Sequence, residues 1–96
     1  MIVNNSSNIL AALVSVAIER SLNDINDKVC EKIGTLLYKK YESYFYNCLD
    51  HPEYLVDILK NEFGDGYLSI IKTINNKLEE FSYQKPISEF LLGLNT

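Results

Sequence analysis

The chain has 96 residues, 47% of them apolar and 23% charged, with two prolines and four glycines. That length supports one domain with a single modest core and excludes a catalytic domain carrying a separate lid, and the composition excludes a disordered tail. Thirteen acidic and nine basic side chains leave a net charge of −4, whose field repels nucleic acid and anionic membranes unless the cations gather on one face.

The cations do not gather in sequence, where Lys39 and Lys40 form the one adjacent pair. The apolar run from Ile9 to Ile18 is too short to span a bilayer, and no basic residue precedes it as a signal peptide requires. The expectation is a soluble, cytoplasmic protein, one helical domain over residues 1–96 with flexible ends at 1–6 and 95–96.

The first helix is expected from about Ser7 to Ile25, capped by Ser6 or Ser7, with Leu10, Leu13, Val14, Ala17, Ile18, Leu22 and Ile25 at helical spacing. Ile9, Ala12 and Val16 widen its apolar stripe, so it is either central to the core or shared with a second copy of the protein. A second helix begins at Asn26 or Asp27 and places Val29, Cys30, Ile33, Leu36, Leu37, Tyr41, Tyr44 and Phe45 inward. Gly34 sits inside it at a cost of about 1 kcal/mol relative to alanine, marking either a close approach by another helix or a tolerated weak spot. Tyr38, Tyr41, Tyr44, Phe45 and Tyr46 crowd its end, and helical geometry spreads them over more than one face, so some rings should be exposed.

A polar connection leads to Pro52, which suits the first position of a third helix running to about Phe63 with Leu55, Ile58, Leu59 and Val56 inward. Gly64 stops it, and Asp65 is expected to cap a fourth helix with Tyr67, Leu68, Ile71, Ile74, Leu78 and Phe81 as its seam. The opposite face carries Ser69, Lys72, Thr73, Asn76, Lys77 and Glu80. A last helix from Pro86 brings Ile87, Phe90, Leu91 and Leu94 down as a lid, giving an all-α bundle of four helices plus a short C-terminal one.

Little in the chain points to chemistry. Two cysteines are too few for a disulfide scaffold and are expected to be small buried hydrophobes, although a bridge stays open for a hyperthermophilic source. Cys48 and His51 have a C-x-x-H spacing and Cys30 would make a third ligand, but structural zinc takes four, so no metal is assigned. Asp50, His51 and Cys48 could form a Cys-His-Asp group, yet the same residues suit a helix cap, where replacing His51 would cost about 1 kcal/mol. No catalytic residue and no cofactor is assigned.

One pattern carries a resemblance. An apolar opening helix, then Leu37-x-x-x-Tyr41, His51-Pro52-Glu53-Tyr54-Leu55, and Ile58-Leu59-x-x-x-Phe63-Gly64-x-Gly66 before a closing amphipathic helix resembles the small archaeal Nitrosopumilus output domain family, fifth type. The similarity covers roughly Ile9 to Phe81. It implies a small helical module, alone or joined to archaeal signalling proteins, with no assigned biochemical role and no established catalytic residues. Pro52, Leu59, Phe63, Gly64 and Gly66 carry over, each already explained by capping or packing.

The function expected on these grounds is a self-associating protein-interaction or signalling output module, a homodimer using Leu13, Val16, Tyr38, Tyr41, Tyr44 and Tyr46, with any other partner unnamed. The alternative is a helix-turn-helix-like DNA-binding transcriptional regulator, with helices three and four around the Gly64-Asp65-Gly66 turn. Glu53, Asp57 and Glu62 on helix three weigh against a phosphate-facing surface, and neither nucleic acid nor membrane is an expected partner.

Overall fold

The computed structural model describes the backbone of residues 5–95 and the side chains of residues 8–95. Five α-helices account for most of it: α1 (Asn5–Asn23), α2 (Asp27–Tyr41), α3 (Pro52–Phe63), α4 (Tyr67–Leu78) and α5 (Lys85–Leu94). Single 3-10 turns lie at Phe45–Leu49, Gly64–Gly66 and Glu79–Phe81, and no strand occurs among the described residues. The protein is an all-α bundle of four helices closed by a short fifth, with a radius of gyration of 12.8 Å against the roughly 12.5 Å of a compact chain this long.

Each helix buries a stripe set by its apolar spacing. α1 contributes Leu10, Val14, Ala17, Ile18 and Leu22, and packs on α2, α4, α5 and the Phe45–Leu49 turn. α3 contributes Leu55, Ile58 and Leu59, while α5 lays Ile87, Phe90 and Leu94 into the same core. α5 sits so close on the first turn of α3 that a Cβ built on Gly93 would lie 2.3 Å from Cγ of Pro52.

The caps follow the sequence in part. Asn26 Oδ1 accepts from the Lys28 N–H at 2.7 Å and starts α2, and Gly64, at φ 57°, ends α3 with its N–H on the Lys60 carbonyl. Asp65 does not cap α4: it lies inside the Gly64–Gly66 turn, and no side chain caps that helix. Ile70, not Leu68, completes the seam of α4, because burial counted from Tyr67 falls three residues on, and Leu68 is exposed. Ile25, beyond the end of α1, is exposed as well.

The largest departure is the end of α2. The helix stops at Tyr41, and Glu42 takes a left-handed conformation (φ 52°, ψ 38°) with its N–H on the Tyr38 carbonyl. Tyr44 and Phe45 therefore leave the helix, and Phe45 folds back until its ring reaches Gly34. A Cβ on Gly34 would meet that ring at 3.5 Å, ordinary contact, so Gly34 is a tolerated weak spot. At the chain ends, Asn5 and Ser6 belong to α1, and Asn95 bonds to Asn75 and to the Leu91 carbonyl. Residues 1–4 and Thr96, also expected to be flexible, lie outside the described residues.

Candidate interaction surface

The outer face of α1 keeps the surplus apolar surface that its sequence implies. Ile9 and Val16 are 59% and 44% exposed, and Ala12 between them is exposed too. Leu13, also expected to take part, is half-buried against the core at the margin of this stripe. A hollow of about 320 Å³ runs along one flank over Ala11, Ala12 and Ser15, with Tyr46 as its far wall. On the other flank a smaller depression of about 240 Å³ lies between Leu13, Val16 and Arg20 of α1 and Lys77, Leu78 and Phe81 beyond.

The early stop of α2 builds the next part of the surface. Asn47 Oδ1 accepts from the Tyr44 backbone N–H at 2.8 Å and fixes the start of the Phe45–Leu49 turn, which packs across α1. Tyr44 then stands between Tyr38 and Tyr46, with ring centroids 5.4 Å and 5.7 Å away. All three rings are about half exposed. They wall a groove of about 560 Å³ between α1 and α2 whose other sides include Ser15, Glu19, Glu31 and Phe45. Ser15 and Tyr46 border both this groove and the hollow over Ala12, so the surface is continuous from Val16 to Tyr38.

Tyr41 does not join the other tyrosines. Its ring stacks on Tyr54 with centroids 4.0 Å apart, and Tyr54 stacks in turn on His51 at 4.5 Å. Its hydroxyl donates to Asp57 Oδ2 at 2.7 Å, and Lys40 Nζ donates to the same oxygen at 2.5 Å. The hydrogen bonds from Lys40 and Tyr41 hold the Asp57 carboxyl below the usual carboxylate range, while the Asp57 bond raises both Lys40 and Tyr41. This network ties α2 to α3 and leaves Tyr41 committed within its own chain. The sequence carried its signal in the spacing of Tyr54, Asp57 and Asn61 on one face of α3, which the reading of the tyrosines as a single group overlooked.

The residues considered for chemistry are held apart. Cys48 is fully buried and its thiol is pushed up to about 12, first by burial and then by the Glu53 carboxylate. Cys30 is half-buried and free. His51 occupies the N-cap position of α3 but makes no cap hydrogen bond; its Nδ1 lies 3.2 Å from Glu53 Oε2. The expected cap-sized role of its side chain is therefore replaced by ring stacking and this exposed contact. Among the described residues no group of three or more His, Cys, Asp or Glu is placed to hold a metal ion. On the polar face of α4, Lys77 pairs with Asp24 at 3.4 Å and the Thr73 hydroxyl donates to the Ser69 carbonyl.

Among the described residues no helix is long and apolar enough to cross a membrane. No family model, curated protein or solved structure matches the chain, so the surface itself is the ground for a functional reading.

Proposed function

We propose that the chain is a small helical interaction module that associates with a second copy of itself through the outer face of α1 and the tyrosine edge beside it. The observation that carries this reading is the continuity of the surface: Ala12 and Val16 run on through Tyr46 and Tyr44 to Tyr38, all exposed, and the exposed Ile9 extends the same helix face by helical spacing. Singly exposed apolar residues need no explanation, but a contiguous band bordered by polar residues is the mark of a protein-binding face. Tyrosine suits such a face because it offers a large rigid contact area with a hydroxyl that stays hydrated at the rim.

A signalling output role fits this face, as the resemblance to the Nitrosopumilus output domain family implies, since an output module acts by what it binds. A cytoplasmic setting agrees with two unpaired cysteines. Light scattering after size exclusion, over a wide concentration range, tests the reading. A dimer population that grows with concentration is the expected result; a monomer at every concentration would overturn it.

A further inference from the structure

Glu19 and Arg20 stand on opposite flanks of the exposed α1 stripe. At about 100° per residue, Glu19 falls some 60° to one side, and Arg20 about 40° to the other, of the line through Ile9, Val16 and Asn23. The flanks differ in charge accordingly. Glu19 and Glu31 are the charged groups lining the tyrosine-walled groove, whereas Arg20 and Lys77 are those of the depression on the opposite side, where Asp24 pairs with Lys77 and, among the described residues, leaves Arg20 as the unpaired cation. Arg20 is the only arginine in the chain. Neither Glu19 nor Arg20 forms an ion pair among the described residues.

We infer that the second copy docks on α1 in parallel, about a two-fold axis running along the helix, so that Glu19 of each copy meets Arg20 of the other. This geometry rests on the self-association proposed above and specifies it. A two-fold axis along α1 carries one flank onto the other at the same height, and Glu19 and Arg20 differ in height by only about 1.5 Å. The resulting contact is isologous, so the one complementary pair occurs twice.

The antiparallel alternative turns each flank onto itself and sets the carboxylate-lined grooves of the two copies against one another. The parallel arrangement also matches shape. The hollow over Ala12 and Ser15 lies on the Glu19 flank, and the same rotation brings to it the Arg20 flank, toward which Ile9 leans. A guanidinium facing a carboxylate can form two parallel hydrogen bonds, which adds register to the apolar contact.

The test uses the full chain. Arg20→Glu and Glu19→Arg each create two like-charge contacts and are expected to raise the dimer dissociation constant about tenfold, while the exchange of both returns it to within about threefold of the parent. Both positions are exposed, and circular dichroism confirms that the variants stay helical. A second readout is Asn23→Cys in a Cys30→Ser background under mild oxidation. Parallel helices bring the two introduced thiols together, whereas an antiparallel pair centred on Val16 separates them by about 21 Å along the axis, far beyond the roughly 7 Å that a disulfide spans between Cα atoms.

Charge rescue together with the covalent dimer supports the inference. A dimer in which either is missing overturns the parallel geometry and leaves self-association standing. A parent chain that is monomeric throughout overturns both.

Discussion

The two faces of the bundle use the same kinds of residue to opposite ends. On the α3 side the polar groups are satisfied within the chain: Asp57 accepts from Lys40 and Tyr41, Lys32 pairs with Glu62, and Tyr41, Tyr54 and His51 form one stack. On the outer side of α1, Val16 and three tyrosines are exposed along one continuous surface, and Ile9 extends the same helix face. Ile25, Leu68, Tyr83 and Leu92 are exposed elsewhere on the molecule. The difference teaches that aromatic content alone does not make a contact surface. Tyr41 and Tyr44 are three residues apart, yet one is fastened to α3 and the other is presented outward.

That contrast can be broken first in the core. Leu59 is fully buried, so Leu59→Ala should cost about 2–5 kcal/mol through lost burial and the cavity left behind. Urea denaturation measures this, and a loss below about 1 kcal/mol would mean that α3 is not packed as described. Next comes the seam between α5 and α3. Gly93→Ala drives a methyl into Pro52 and should cost about 1–3 kcal/mol, unless α5 can shift away. Thermal unfolding reads the change directly.

The Asp57 network is a smaller effect with a distinct pH signature. Asp57→Ala removes the acceptor of the half-buried Tyr41 hydroxyl and should cost about 1 kcal/mol near neutrality. Because hydrogen bonds from Lys40 and Tyr41 lower the folded carboxyl below its ordinary 3.8, its stabilisation is present above that value and is lost as pH falls through the folded one. Water reaches the carboxylate and screens the interaction. Denaturation across acid pH should therefore show a steeper decline for the parent than for Asp57→Ala, and equal slopes would remove the network from the account.

Much of the fold was legible because helical spacing and caps are local. Asn26, Pro52 and Gly64 each act through their nearest neighbours in the chain, and each helix lies close to where its pattern places it. What was not legible depends on conformations and partners that local pattern does not encode. No glycine marks the end of α2, where Glu42 adopts the left-handed conformation, and the apolar spacing runs on through Tyr44 and Phe45 as if the helix continued. The separation of Tyr41 from Tyr38, Tyr44 and Tyr46 follows from that one turn. Glu19 and Arg20 are adjacent, and helical spacing alone turns them about 100° apart; which groove each one borders depends on the elements packed beside α1 and was not legible.

Val16 gives the most direct test of the central claim that the outer face of α1 is a self-association surface. It is exposed on α1, so Val16→Lys should change folding stability by no more than about 0.5 kcal/mol. In light scattering over a wide concentration range, the account predicts a dimer for the parent chain and a monomer for Val16→Lys, with equal helical content by circular dichroism. Equal masses for the two proteins at every concentration would contradict it.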